Sequence, residues 1–144
     1  MKKEKSSGAI IFIRDKPIKY LLVQYGFGHW GSVRGNIEEN ETEKETAIRE
    51  AEEETGISDL IFMENFKEKI SFFYKMNNEL INKEITFFLA ETKTEKIKLS
   101  FEHKDYKWLE IESALKLIKF KNSKDVLIKA DKFLKSPRLT DFYD

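Results

Sequence analysis

No cysteine occurs in the chain, and only two prolines, two histidines and six glycines are spread over its 144 residues. The missing thiols exclude disulfides, thiolate metal sites and a cysteine nucleophile. His29 and His103 make a poor zinc site without sulfur partners. No stretch rich in proline, glycine or serine marks a linker, and there is no repeat or low-complexity tract. A single domain over residues 1–144 is therefore expected, with residues 137–144 as a loose tail. Long hydrophobic runs are missing too. Met1-Lys2-Lys3-Glu4-Lys5 has the charge of a signal-peptide start. The apolar run behind it, Gly8 to Ile13, stops at Arg14 and Asp15, too short for a signal core or a membrane span. A soluble, cytoplasmic monomer with no membrane contact is the expectation.

What is present suffices to fold. Hydrophobic residues make up 40% of the chain and aromatics 13%, above the range of disordered segments. Net charge is zero, 26 basic against 26 acidic, but the charges are unevenly placed. Glu38 to Glu54 holds nine glutamates against Lys44 and Arg49, a local net of −7, so the rest of the chain carries +7. An anionic patch on a cationic body suits a site that gathers metal cations and then a polyanion. A solvated acidic helix would give the same count. Spacing has to decide.

Ala9 to Ile13 and Lys19 to Tyr25 read as a β-hairpin around Asp15-Lys16-Pro17. Tyr25 to Gly35 holds four of the six glycines and should be irregular. A helix is expected over Glu43 to Thr55, opened by a capping box of Thr42 and Glu45 and stopped by Gly56. Phe66 to Tyr74 and Lys83 to Glu91 read as antiparallel strands, and Tyr106 to Leu109 as a short one. Two amphipathic helices close the chain, one burying Ile111, Ala114, Leu115 and Ile118, the other Val126, Leu127, Ala130, Phe133 and Leu134. An α/β fold with a mixed sheet packed between helices follows.

On the acidic helix, Glu50, Glu53 and Glu54 fall in one arc of roughly a quarter turn. Ala47, Ile48 and Ala51 lie beside it and can face a sheet. Three carboxylates so close repel one another unless something offsets the charge. Mg²⁺ prefers such oxygens and keeps positions open for water and phosphates. Arg49, four residues before Glu53, can hold a carboxylate in orientation.

The full pattern is more specific than an acidic helix. Gly35, five residues, Glu41, seven residues, then Arg49-Glu50-Ala51-Glu52-Glu53-Glu54-Thr55-Gly56-Ile57 reproduces G-x5-E-x7-R-E-U-x-E-E-x-G-U, U being aliphatic, with no mismatch. That is the Nudix box, and the chain resembles the Nudix hydrolases. The resemblance implies an α/β/α sandwich and hydrolysis of a nucleoside diphosphate linked to another group. It also implies Mg²⁺ or Mn²⁺, two or more ions, held by Glu50, Glu53 and Glu54 and by the Gly35 carbonyl. Arg49, Glu53 and Glu54 are then the catalytic candidates.

Flanking motifs are similar to those of the asymmetric diadenosine tetraphosphate hydrolases: His29-Trp30, Phe66-Lys67 and Glu102-His103-x-x-Tyr106-x-Trp108-Leu109. That similarity implies cleavage to ATP and AMP, with RNA 5′ ends as the alternative substrate, because RNA pyrophosphohydrolases share some of these motifs. It adds Glu102 to the metal set. Phe72 and Tyr106 become an adenine sandwich. Lys83 and Arg34 become phosphate contacts, Arg34 by its bidentate fork, and His29 and His103 polar contacts. Each has an ordinary alternative. Phe72 shares a strand face with Tyr74 while Phe73 takes the other, and one of those faces must be core. Lys83 is one of 22 lysines. The chain also departs from its relatives: Val33-Arg34-Gly35 stands where they read Pro-Lys-Gly, and Asn36 where they often carry His. A nucleotide-sensing domain without catalysis is the reading from a different class, and intact box glutamates oppose it.

Overall fold

The computed structural model describes residues 1–136, so the expected loose tail at 137–144 lies outside the described residues. The first strand, β1 (Lys2–Ile13), sits at the centre of an eight-stranded mixed sheet. On one side it runs parallel to β7 (Glu79–Glu91), from Lys2 opposite Ile81 to Phe12 opposite Glu91. Its other side is shared. The C-terminal end pairs antiparallel with β2 (Lys19–Tyr25), while Ser6 to Ala9 pair antiparallel with β4 (Val33–Asn36). The short β3 (Trp30–Gly31) and β8 (His103–Leu109) pair with β2. β5 (Ile61–Phe62) and β6 (Glu68–Met76) pair with β7.

Alternation along the strands splits the core into two layers. Ile10 and Phe12 join Tyr20, Leu22, Ile85, Phe87 and Leu89 on one face. The helices α2 (Ile111–Leu117) and α3 (Lys121–Lys135) cover it with Ala114, Ile118, Val126, Leu127 and Ala130. Ala9, Ile11, Leu21, Val23 and Val33 form the opposite face, under Ala47 and Ala51 of α1 (Glu43–Thr55). The result is the expected sandwich of helices around a mixed sheet. Ile48, expected on the buried side of α1, is instead 43% exposed, because the two alanines already fill the contact with the sheet.

Local signals set most boundaries. The Thr42 hydroxyl accepts from the Glu45 amide while the Glu45 carboxylate accepts from the Thr42 amide, closing the capping box. Gly56 ends α1 at φ 77°, a left-handed conformation open to glycine. Asn77 and Asn78, both at positive φ, form the two-residue turn between β6 and β7. Two expectations need correction. Tyr25 to Gly35 is not irregular throughout but holds β3 and the start of β4, whose partners come from β2 and β1. The strand expected from Ala9 begins earlier, at Lys2, where β7 offers the basic start of the chain a parallel partner. Gly8 makes the β1–β4 approach possible, since a Cβ there would stand 1.9 Å from the Val33 carbonyl oxygen.

Candidate active site

The site forms where α1 crosses β4. Ser7 and Gly35 face the helix, and the Ser7 hydroxyl donates to the Glu43 carbonyl, 2.7 Å away. Glu50 lies directly on Gly35: a Cβ at that glycine would stand 2.0 Å from the Glu50 carboxyl carbon. Only glycine leaves space for that carboxylate.

Arg49 organises the acidic groups around it. Nε donates to Glu41 Oε2 at 2.7 Å and Nη2 to Glu41 Oε1 at 3.0 Å, while Nη1 reaches Glu50 at 2.9 Å and Glu53 at 3.2 Å. Nη2 also donates to the Asn36 carbonyl at 3.0 Å, tying the helix to β4. The Arg49 hydrogen bonds, then that from Thr46, hold the Glu41 carboxyl down at about 2. Arg49 therefore orients carboxylates in this structure.

Glu54 differs from its neighbours. It is 3% exposed, and its Oε1 shares a short hydrogen bond with His103 Nε2, buried at 7%. Burial, reinforced by Glu50, pushes the Glu54 carboxyl up to about 10, and burial also lowers His103. Both directions describe a neutral pair in which the carboxyl donates to the imidazole. Glu54 Oε2 has no hydrogen-bond partner among the described residues. Glu53 is exposed, with 59% of its side chain in contact with solvent. Glu102 is exposed next to His103, and its charge adds to the upward shift of Glu54.

No three acidic or imidazole groups among the described residues already stand in metal-holding geometry. Glu50 and Glu53 turn to Arg49 and Glu54 to His103. The donor set nevertheless fits a hard divalent ion: carboxylate oxygens, one buried and unpartnered, against a glycine strand with no side chain in the way.

Arg34 stands on the other face of β4. It stacks over the Tyr25 ring, 4.6 Å from the centroid, and Nη1 donates to the Tyr25 hydroxyl at 3.1 Å. Burial, and after it the Arg34 charge, lowers the pKa of His29 and Lys83, and the same charge opposes the rise at Glu54. Lys83 donates to Asn36 Oδ1 at 3.1 Å and sits opposite Phe72 across β6 and β7. His29 joins an aromatic cluster with Phe27 at 4.2 Å and Phe120 at 5.6 Å between ring centroids.

Not every sequence candidate reaches the same place. Tyr106 pairs with Val23 and packs on the core layer beneath α1, whereas Phe72 is 37% exposed on the far-edge strand β6. The two rings are not brought together. His103 is buried against Glu54, away from solvent. Sequence reading missed Phe120, which caps the start of α3 with 54% of its surface exposed. An aromatic off the apolar stripe of α3 was the available signal. Between β6 and α3 runs an open cleft of about 300 Å³ lined by Lys69, Ser71, Asn122, Asp125 and Lys129 among others. Phe72 and Phe120 adjoin its two walls in sequence, and none of the box glutamates lines it.

The NUDIX domain family matches residues 4–130. The chain belongs to the Nudix family. Nudix enzymes are pyrophosphohydrolases that generally use divalent metals, and this chain is a Nudix hydrolase. It is 35% identical to the asymmetrical bis(5′-nucleosyl)-tetraphosphatase of Mus musculus, over 90% of this chain and 95% of that one. It is 32% identical to the dihydroneopterin triphosphate diphosphatase of Haemophilus influenzae, over 69% of each. The crystal structure of a C. elegans Ap4A hydrolase binary complex superposes with a TM-score of 0.77 at 28% identity, covering 91% of this chain and 97% of that one. No helix among the described residues is long and apolar enough to cross a membrane.

Proposed function

We propose that this Nudix hydrolase cleaves dinucleoside polyphosphates, diadenosine tetraphosphate to ATP and AMP, by attack of water on a phosphorus. One observation carries the reading: Glu50 of the box lies on Gly35 with Glu53 and Glu54 on the same helix, while Arg34, Lys83 and exposed aromatic rings stand on the opposite face of the same strand region. A polyanion with a flat base at its end matches that division of charge and stacking surface. The resemblance to tetraphosphatases of this class supports the substrate.

Glu50, Glu53, Glu54 and the Gly35 carbonyl would hold Mg²⁺ or Mn²⁺, joined by Glu102, and the bound metal would lower the pKa of water and stabilise charge on phosphoryl oxygens. Arg49 holds Glu50, which lies against Gly35, and Glu53 in fixed orientations. Arg34 fixes a phosphate from its Nε and Nη2, which make no hydrogen bond among the described residues. Lys83 binds a second phosphate. Phe72 on β6 and Phe120 at the start of α3 would hold the base, with Asn122 of the cleft between those elements offering hydrogen bonds to its edge. As water attacks, the anhydride P–O bond breaks and the water's proton passes to a box glutamate. Glu53 or Glu54 would be that acceptor, Glu54 once a bound metal holds it in its anionic form.

Turnover of diadenosine tetraphosphate in ¹⁸O-water tests this. Label in one of the mononucleotide products, with activity lost in the Glu53→Gln/Glu54→Gln double variant, is the expected result. Wild-type turnover by that double variant would overturn the assignment. Faster turnover of dihydroneopterin triphosphate or of 5′-triphosphorylated RNA would replace the substrate while leaving the chemistry in place.

A further inference from the structure

Lys83 does not stand alone. Glu4 of β1 faces it directly across the parallel pairing with β7, and its Oε1 lies 3.6 Å from Lys83 Nζ. The same Glu4 oxygen accepts a short hydrogen bond from the Tyr74 hydroxyl, which locks the carboxylate in place. Lys83 Nζ donates instead to Asn36, whose Oδ1 also accepts from the Ser6 hydroxyl. Only 17% of the Lys83 side chain and 24% of the Glu4 side chain are exposed, so water screens the pair weakly. The Tyr74 hydrogen bond keeps Glu4 below the usual carboxylate range, an anion at neutral pH.

We infer that Glu4 is a specificity-determining residue. Its fixed negative charge disfavours a phosphate chain that ends free beside Lys83 and tolerates one capped by a second nucleoside. An internal phosphate brings one negative charge to that point, while a terminal phosphate monoester brings about 1.5 to 2. Like charges at such short range penalise the second far more than the first. Because Tyr74 holds Glu4 still, the carboxylate cannot swing away from an arriving phosphate. The inference rests on the proposed role of Lys83 as a phosphate contact.

The test compares diadenosine tetraphosphate with adenosine 5′-tetraphosphate, which has the same number of phosphates and one free end. Glu4→Gln keeps an acceptor for Tyr74 and removes the charge. It should improve kcat/KM for adenosine tetraphosphate by about threefold or more relative to the capped substrate, carried by KM. In the Lys83→Met background that shift should disappear. An unchanged ratio in Glu4→Gln, or the same shift without Lys83, overturns the inference. Lys83→Met that leaves KM unaltered for both substrates overturns the phosphate-contact reading instead, so the two failures are distinct.

Discussion

Arg49 grips Glu41 with two hydrogen bonds, at 2.7 and 3.0 Å, and holds Glu50 and Glu53 through Nη1. One guanidinium thus fixes a loop carboxylate and two helix carboxylates in a single arrangement. Lysine has the charge without the planar fork. Arg49→Lys should therefore lower kcat by about tenfold or more while the helix content is kept, since small misplacements at a reacting centre are expensive. Circular dichroism alongside steady-state kinetics checks this.

Glu41 also sets an acid limit. Its carboxyl titrates at about 2 in the folded protein against an ordinary 4.5, so the stability it contributes is complete above pH 4.5 and disappears as pH falls towards 2. Glu43, lowered first by Lys67 and then by Thr86, acts in the same direction. Melting temperature followed from pH 6 to about pH 2 should fall less steeply in Glu41→Gln than in the wild type, with the two curves converging at the acid end.

Glu54 acts in the opposite sense. Its folded pKa of about 10 lies above the ordinary 4.5, so its burial is tolerated at low pH and becomes a growing penalty as pH rises above 4.5. Glu54→Gln removes that penalty. The metal-free variant should be more stable than wild type at neutral pH by about 1–3 kcal/mol, with activity lost. Denaturant melts with chelator present give the answer.

Gly35 and Gly8 both face a close neighbour, but the consequences of filling them differ. Gly35→Ala displaces the end of a side chain, Glu50, and should reduce activity and magnesium affinity with modest change in stability. Gly8→Ala drives a methyl into the Val33 carbonyl and the Arg34 backbone, and should destabilise the protein by about 1–3 kcal/mol. Thermal melts and magnesium titrations of the two variants separate these effects.

The aromatic rings divide in the same way. Phe120→Ala and Phe72→Ala should raise KM for the dinucleotide several-fold with little change in melting temperature, because both rings are exposed and are proposed to hold the base. Tyr106→Ala should instead lower the melting temperature, since its ring packs on the core under α1.

The amino-acid sequence by itself determined what depends on near neighbours. Thr42, Glu45 and Gly56 bounded α1, alternation placed the hairpin strands, and the Gly35 to Ile57 spacing assembled the acidic face, because capping, turn chemistry and helical periodicity act within a few residues. Tertiary structure decided everything that depends on a distant partner. Lys2 to Lys5 became a strand because β7 lies beside them, and His103 left the surface because Glu54 meets it 49 residues away. Tyr106 packs on the layer beneath α1 while Phe120 stays exposed because sheet register and the start of α3, not local composition, set where each ring lies. Exposure is a property of the packed layers, and no short stretch of chain encodes it.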